Sequence, residues 1–130
     1  MTGSNKILLV DDEVAVRNTY QLYFEAHGYS VLAAASVPEA LHQLRKENIA
    51  LTIIDIFLHG ENGLDLLRGI VAARPDLPVI IISAISPDQP QFQEALQAGA
   101  VDVFSKIRPL SQLLSSVQRI MANLRTDSPN

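Results

Sequence analysis

The stretch Lys6-Ile7-Leu8-Leu9-Val10-Asp11-Asp12-Glu13 decides the fold. Four consecutive apolar residues that end abruptly in three acidic ones predict a strand buried on both faces, as the strands of parallel sheets are. Between residues 14 and 27 the pattern becomes helical, because apolar side chains recur at every fourth position, and Gly28 follows as a C-terminal cap. We therefore expect a strand followed directly by a helix.

The same alternation of strand and helix occurs five times along the chain. Because strands that alternate with helices form a parallel sheet covered on both faces, we predict a doubly wound α/β domain. The connections are too short for a second domain, so we expect one domain over residues 6–124, with flexible termini at 1–5 and 125–130, the latter suited to begin a linker. The predicted strands are 6–10, 29–34, 51–54, 78–83 and 101–105.

Composition excludes several classes of protein. The chain has 130 residues, of which 48% are hydrophobic and 18% charged, which excludes an intrinsically disordered chain. A net charge of −4 argues against a basic nucleic-acid module, and the absence of cysteine excludes disulfides and thiolate sites. No apolar run approaches a membrane span and no secretory signal is evident, so we expect a soluble, cytoplasmic domain without membrane or nucleic-acid contact.

Polar side chains lie at the ends of four of the five predicted strands. Asp11 and Asp12 come after the first strand, Asp55 after the third and Lys106 after the fifth, while Ser83 ends the fourth. Ligands of open parallel α/β sheets bind at the carboxyl ends of the strands. We therefore expect three carboxylates, a hydroxyl and an ammonium to converge on one edge of the sheet.

This set of groups points to phosphoryl chemistry. Neighbouring carboxylates repel each other unless a cation neutralises them, and hard oxygen ligands favour Mg²⁺ over zinc or copper. Lys106 is suited to pair with a phosphoryl oxygen, to which Ser83 could donate a hydrogen bond. Asp55 would then act as the nucleophile and form an aspartyl phosphate.

The ordered set of motifs resembles the receiver domain of two-component response regulators over about residues 6–124. Any one motif is weak, but their order and spacing together are specific. The resemblance implies a flavodoxin-like (βα)5 sheet with strand order 2-1-3-4-5. The matching residues are Ile7 to Glu13, Ile53-Ile54-Asp55 with Gly63 eight residues on, Ser83-Ala84, and Gly99-Ala100 before Lys106.

The resemblance also implies a role for each site residue. Asp55 would accept a phosphoryl group from the phosphohistidine of a sensor histidine kinase or phosphotransfer protein. Asp12 would bind Mg²⁺ directly, Asp11 through water, and the backbone carbonyl of Phe57 would complete the protein ligands. Lys106 would pair with the phosphoryl group. The chain would then be a phosphoacceptor signalling domain and not an enzyme acting on other molecules.

A second group of residues would report phosphorylation. By the same resemblance, Ser83 would turn toward the phosphoryl oxygens, beside the backbone of Ala84, and Val103 occupies the switch position. The output surface would be the face made by the fourth helix, fifth strand and fifth helix, which could also form a homodimer. We further expect the apolar side chains of Phe57 and Ile85 to hinder the hydrolytic water and slow autodephosphorylation.

Three positions depart from the family pattern. His59 stands where proline is usual, and Lys106 is followed by Ile107 instead of proline, so we expect a trans peptide there. Val103 stands where an aromatic is usual, and Phe104 should point to the other face of the sheet. With these departures, the family's pose of the lysine and its coupling of the serine to an aromatic rotamer do not carry over directly to Lys106 and Ser83.

Three alternative functions are also to be weighed against the sequence. A pseudo-receiver would keep the fold as an interaction module without useful phosphorylation. A flavin or nucleotide binder would need a phosphate loop after the first strand, where this chain has Asp11-Asp12-Glu13. An aspartate-nucleophile phosphatase would have a second aspartate where Phe57 stands. We interpret His59 as an exposed loop residue and Arg108 as an ordinary solvated charge.

Overall fold

The computed structural model describes residues 4–86 and 88–126, with the side chains of 125 and 126 left out. Its elements, in chain order, are β1 (Lys6–Val10), α1 (Val14–Ala26), β2 (Ser30–Ala34), α2 (Val37–Lys46), β3 (Leu51–Asp55), β4 (Phe57–Leu58), β5 (Glu61–Asn62), α3 (Gly63–Ala73), β6 (Val79–Ser83), α4 (Pro90–Gln97), β7 (Asp102–Ser105) and α5 (Leu110–Thr126). The predicted terminal segments fall mostly outside the described residues, while α5 runs to Thr126.

Five strands form one parallel sheet in the order β2-β1-β3-β6-β7. The predicted order 2-1-3-4-5 is confirmed, because β4 and β5 form a separate two-stranded sheet and β6 and β7 are the fourth and fifth strands of the main one. The central strand β3 pairs with β1 and β6, so that Ile54 lies opposite both Val10 and Ile81. This register brings the carboxyl ends of the strands to one edge.

The core consists of two apolar layers, one on each face of the sheet. Side chains alternate between faces along a strand, so every central strand contributes to both layers. Helices α2, α3 and α4 cover the layer that includes Ile54 and Val103. Helices α1 and α5 cover the layer that includes Ile53 and Phe104. The predicted opposite orientation of Val103 and Phe104 is therefore confirmed.

The helix boundaries follow the local signals in the sequence. Ser36 accepts a hydrogen bond from the backbone N–H of Glu39 at 3.3 Å and caps the start of α2. Gly28 adopts a φ of +93° just beyond α1, a conformation that glycine reaches without steric cost. None of the helices in the described part of the chain has the length and apolar character of a membrane span.

Residues 56–62, between the third main strand and α3, contain a hairpin. Phe57 pairs with Asn62, and Leu58 pairs with Glu61 in an antiparallel arrangement. Gly60 makes the turn with a φ of +72°. Two-residue strands are too short to show a periodicity of two, which is why the sequence pattern did not reveal them. The hairpin lies directly between the site residue Asp55 and α3.

Arg108 is exposed, as the interpretation of a solvated charge expects, but it also makes two side-chain contacts. Its guanidinium lies over the ring of Phe104, 3.8 Å from the ring centroid, and its Nε donates to Oε1 of Gln112 at 2.8 Å. A cation–π contact between β7 and the following loop depends on tertiary geometry. Within the described residues every peptide bond is trans, including the bond between Lys106 and Ile107.

Candidate functional site

Three aspartates lie together at the carboxyl edge of the sheet. Asp11 and Asp12 follow β1, and Asp55 is the last residue of β3. One carboxylate oxygen from each lies within 4.8 Å of the other two. The sequence predicted that these residues would converge, and the parallel register of β1 and β3 brings them together.

Asp55 is almost fully buried and held at both carboxylate oxygens. Its Oδ1 accepts a hydrogen bond from the backbone N–H of Phe57 at 3.2 Å, and its Oδ2 accepts one from Nζ of Lys106 at 2.9 Å. Burial raises the pKa of Asp55 to about 6, although Lys106 opposes this rise and the charge of Asp11 adds to it. The carboxylate is therefore mostly ionised at neutral pH.

Asp11 and Asp12 differ in their surroundings. Asp11 is fully buried, and its Oδ1 accepts from the backbone N–H of Glu13 at 2.9 Å, while its backbone carbonyl accepts from Arg17 at 2.8 Å. Asp12 is partly exposed, and its Oδ2 accepts from the backbone N–H of His59 at 2.8 Å. Asp12 thus connects the acidic cluster to the turn of the hairpin.

Lys106 points into the acidic cluster. Its Nζ lies 2.9 Å from Oδ2 of Asp11, 3.0 Å from Oε1 of Glu13 and 2.9 Å from Oδ2 of Asp55. Burial of the ammonium opposes its charge, but these three contacts outweigh burial and raise the pKa of Lys106. The backbone N–H of Lys106 donates to the carbonyl of Ser83 at 2.7 Å, so β6 and β7 fix the start of this side chain.

The donor set fits a hard divalent cation. All the candidate ligands are carboxylate oxygens, which Mg²⁺ prefers. Oδ2 of Asp11 is buried and receives no hydrogen bond from the described residues, since its contact with Lys106 is an ion pair without hydrogen-bond geometry. A cation beside this oxygen would satisfy it. Asp11, Asp12 and Asp55 are therefore the residues that could hold a metal ion.

The other predicted site residues surround this cluster. Ser83 is fully buried, and its hydroxyl accepts from the backbone N–H of Ile85 at 3.1 Å. Ala84 is exposed in the loop after β6. The side chain of Phe57 is exposed beside the site, whereas Val103 is buried in the core. Ile85, expected beside the path of water, packs partly against the core. The His59 side chain is 99% exposed, as the interpretation of an exposed loop residue predicts.

Three contributors to the site were not predicted from the sequence. Glu13 contacts Lys106, Arg17 holds the backbone of Asp11, and the backbone N–H of His59 holds Asp12. Glu13 directly follows the aspartate pair in sequence, and this position could have been used to predict that it lies near the site. Nothing in the residue types indicated the contact of Arg17 with a carbonyl or of His59 through its backbone.

Comparisons with known proteins point to one family. Residues 7–118 match the family described as the response regulator receiver domain. The C4-dicarboxylate transport transcriptional regulatory protein DctD of Rhizobium meliloti is 34% identical over 119 residues, which are 92% of this chain and 26% of that protein. The alginate biosynthesis transcriptional regulatory protein AlgB of Pseudomonas aeruginosa is 40% identical over 101 residues, 78% of this chain and 22% of that protein. The chain thus spans about a quarter of the length of these relatives.

Solved structures show the same similarity. A CheY-like response regulator receiver domain protein from Methanospirillum hungatei matches with a TM-score of 0.88 and 25% identity, over 97% of this chain and all of that one. The receiver domain of NtrX from Brucella abortus matches with a TM-score of 0.84 and 30% identity, over 89% of this chain and 98% of that one. With its parallel sheet and its acidic edge, the chain belongs to the response regulator receiver domain family.

Proposed function

We propose that this receiver transfers a phosphoryl group from the phosphohistidine of a sensor histidine kinase or phosphotransfer protein to Asp55, in a Mg²⁺-dependent reaction in the cytoplasm. The observation that carries the proposal is the position of Lys106, whose Nζ lies 2.9 Å from Oδ2 of Asp55 and 2.9 Å from Oδ2 of Asp11. A buried carboxylate paired with one lysine beside two further aspartates suits phosphoryl transfer by positioning and charge neutralisation.

The transfer needs few groups. An oxygen of the Asp55 carboxylate forms a bond to phosphorus while the bond between phosphorus and the imidazole nitrogen breaks, and the electron pair stays on that nitrogen. The ammonium of Lys106 neutralises charge on the phosphoryl oxygens as they approach. Asp11, Asp12 and Asp55 would hold Mg²⁺, together with the backbone carbonyl of Phe57, and the bound ion supplies positive charge to the same oxygens.

Phosphorylation would be reported through Ser83. Ser83 is the last residue of β6, and its hydroxyl accepts a hydrogen bond from the N–H of Ile85, which leaves the hydroxyl proton to be donated to a phosphoryl group on Asp55 when the side chain turns toward it, beside Ala84. The change would reach the surface formed by α4, β7 and α5, with Val103 at the switch position. Leu96 in α4 and Val101 before β7 are exposed, which suits a homodimer or effector contact there. As DctD and AlgB are named transcriptional regulators, we place the receiver in a regulator of that class.

The proposal is tested with a small phosphodonor and a chelator. The chain is incubated with phosphoramidate in Mg²⁺ or in excess EDTA, and the fraction phosphorylated is measured by intact mass. We expect one added phosphoryl group in Mg²⁺, far less in EDTA, and none in the Asp55→Asn variant. Absence of an adduct in Mg²⁺ with this donor and with a phosphorylated kinase would favour the pseudo-receiver. An adduct that persists in Asp55→Asn would contradict the assignment of the acceptor.

A further inference from the structure

We propose that Glu13 is a positioning residue, whose carboxylate holds the ammonium of Lys106 against Asp55 during phosphoryl transfer. The inference rests on the proposed function of Asp55 as acceptor and assigns a role to a residue outside the aspartate cluster. Its basis is the hydrogen bond from Nζ of Lys106 to Oε1 of Glu13, at 3.0 Å, between residues 93 positions apart in sequence.

The backbone of Glu13 is held in place at the start of α1, but its side chain does not cap that helix. Glu13 is the N-cap residue of α1, with extended dihedral angles of −88° and 121°, and its side chain makes no capping hydrogen bond. Its N–H donates to the buried Oδ1 of Asp11. An acidic residue at this position usually supports the helix start, either by capping or through the helix dipole. Here the carboxylate reaches across to the loop after β7.

The Lys106 side chain is mostly buried, with 13% of it exposed, and its ammonium is positioned by the carboxylates around it. Lys106 is the first residue beyond β7, and the hydrogen bond to Ser83 fixes only its backbone. A lysine has many rotamers, so contacts at the ammonium must hold it in one geometry.

Glu13 differs from the two aspartates that share the ammonium. Asp11 and Asp55 belong to the oxygen cluster that could bind the metal ion, so their oxygens would be shared with that ion, and Asp55 would also carry the phosphoryl group. Glu13 is outside the cluster of three and its side chain is 63% exposed. Among the described residues, three carboxylates contact the ammonium. Of these, the carboxylate of Glu13 is the one that stays available to bind Lys106 throughout the transfer.

Exposed ion pairs often contribute nothing measurable to stability. The test must therefore measure the position of the Lys106 side chain directly. We would compare Glu13→Ala and Glu13→Gln with Glu25→Gln, a matched change at the exposed far end of α1. Gln keeps the length and an acceptor oxygen of Glu. The first measurement is the rate of Asp55 phosphorylation by acetyl phosphate at saturating Mg²⁺. The second is the NMR signal of the Lys106 ammonium. The chain has three lysines, and the signal of Lys106 is identified as the one that is absent from the Lys106→Arg variant.

We expect Glu13→Ala to lower the maximal rate about fivefold with little change in the half-saturating donor concentration, because positioning acts on the transfer step. Glu13→Gln should fall between this variant and wild type, and Glu25→Gln should match wild type. The Lys106 ammonium signal should broaden or vanish in Glu13→Ala. Equal rates in wild type and Glu13→Ala, or a slower Glu13→Ala with an unchanged ammonium signal, would overturn the inference. An unphosphorylated wild type would instead count against the acceptor role of Asp55, while the NMR comparison would still test the contact.

Discussion

Burial gives the Asp55 carboxyl a pKa of about 6, and this value predicts a pH-dependent stability. The unfolded carboxyl has a pKa of about 3.9, so between these values the folded chain binds more protons than the unfolded one. The contribution of Asp55 to stability is therefore largest below the lower value and is lost as the pH rises through about 6. Asp55→Asn removes this loss, so the variant should be more stable than wild type at pH 8, by on the order of 1–2 kcal/mol after discounting for screening by water.

The measurement is the free energy of unfolding in urea for both proteins, in EDTA, from pH 4 to pH 8. The stability advantage of Asp55→Asn should shrink as the pH falls and disappear near pH 4. Because the other ionisable groups are common to both proteins, their titration largely cancels in the difference. An advantage that is constant over this range would show that burial does not raise the pKa of Asp55.

Phe57 lies close to the acceptor, and we expect its side chain to affect the lifetime of the phosphoryl group on Asp55. Its backbone N–H donates to Oδ1 of Asp55, and its exposed side chain lies beside the site, where an apolar group excludes water. Phe57→Asn should speed the loss of the phosphoryl group severalfold, measured by intact mass over time after removal of the donor. Leu22→Asn, which changes an exposed apolar residue on α1, should leave the rate unchanged. An equal or slower loss in Phe57→Asn would refute the idea.

Site residues that follow a strand could be predicted from the sequence. Residues that join the site only through tertiary contacts could not be predicted in this way. Asp11, Asp12, Asp55 and Lys106 could be predicted because each follows a recognisable strand and parallel strands end at one edge. The role of Glu13 could not, because an acidic residue at a helix start is usually explained by the helix dipole.

Helix α3 carries two glycines whose different surroundings predict opposite effects of the same substitution. A Cβ on Gly63 would overlap the backbone carbonyl oxygen of Asp55 and lie 2.9 Å from Cα of Ile56. A Cβ on Gly69 would meet nothing within 4 Å. Gly63→Ala should therefore destabilise the fold by about 2–3 kcal/mol, as overpacking does, and lower the rate of Asp55 phosphorylation by displacing the end of β3.

Gly69→Ala is the matched control on the same helix. It should stabilise the protein by about 0.5–1 kcal/mol, because alanine favours a helix and restricts the unfolded chain. Urea unfolding of both variants gives the stability, and acetyl phosphate labelling gives the activity. Equal stabilities of the two variants would contradict the close approach of α3 to β3.

The elements differ in how well sequence patterns predicted them. Four of the main strands, β1, β2, β3 and β6, were evident from an apolar run, whereas β7 has only Val103 and Phe104 between polar residues. Helix α5 was evident because its apolar side chains recur every three or four positions. The β4–β5 hairpin is held by tertiary contacts instead. Glu61 accepts from the N–H of Val37 at the start of α2, and Asp12 accepts from the N–H of His59 at the turn. Such contacts between distant segments leave no periodic signal.

At the level of the whole chain, the net charge of −4 is largely local. Without Asp11, Asp12 and Asp55 the chain would carry eleven acidic residues against ten basic ones. The remaining surface is thus nearly balanced, and the strand order concentrates the acidic excess at one edge of the sheet. Repulsion within this cluster is relieved by Lys106 and would be relieved further by a bound cation.

The proposed function depends on Asp55 as the phosphoryl acceptor of this receiver. An acyl phosphate is reduced by borohydride to an alcohol, which converts a phosphorylated aspartate into homoserine. The chain is treated with acetyl phosphate and Mg²⁺, reduced, digested and sequenced by mass spectrometry. We expect homoserine at position 55 and at no other aspartate, and none when Mg²⁺ is chelated. Homoserine at another position, or unmodified Asp55 in a chain that gained a phosphoryl group, would contradict this role of Asp55.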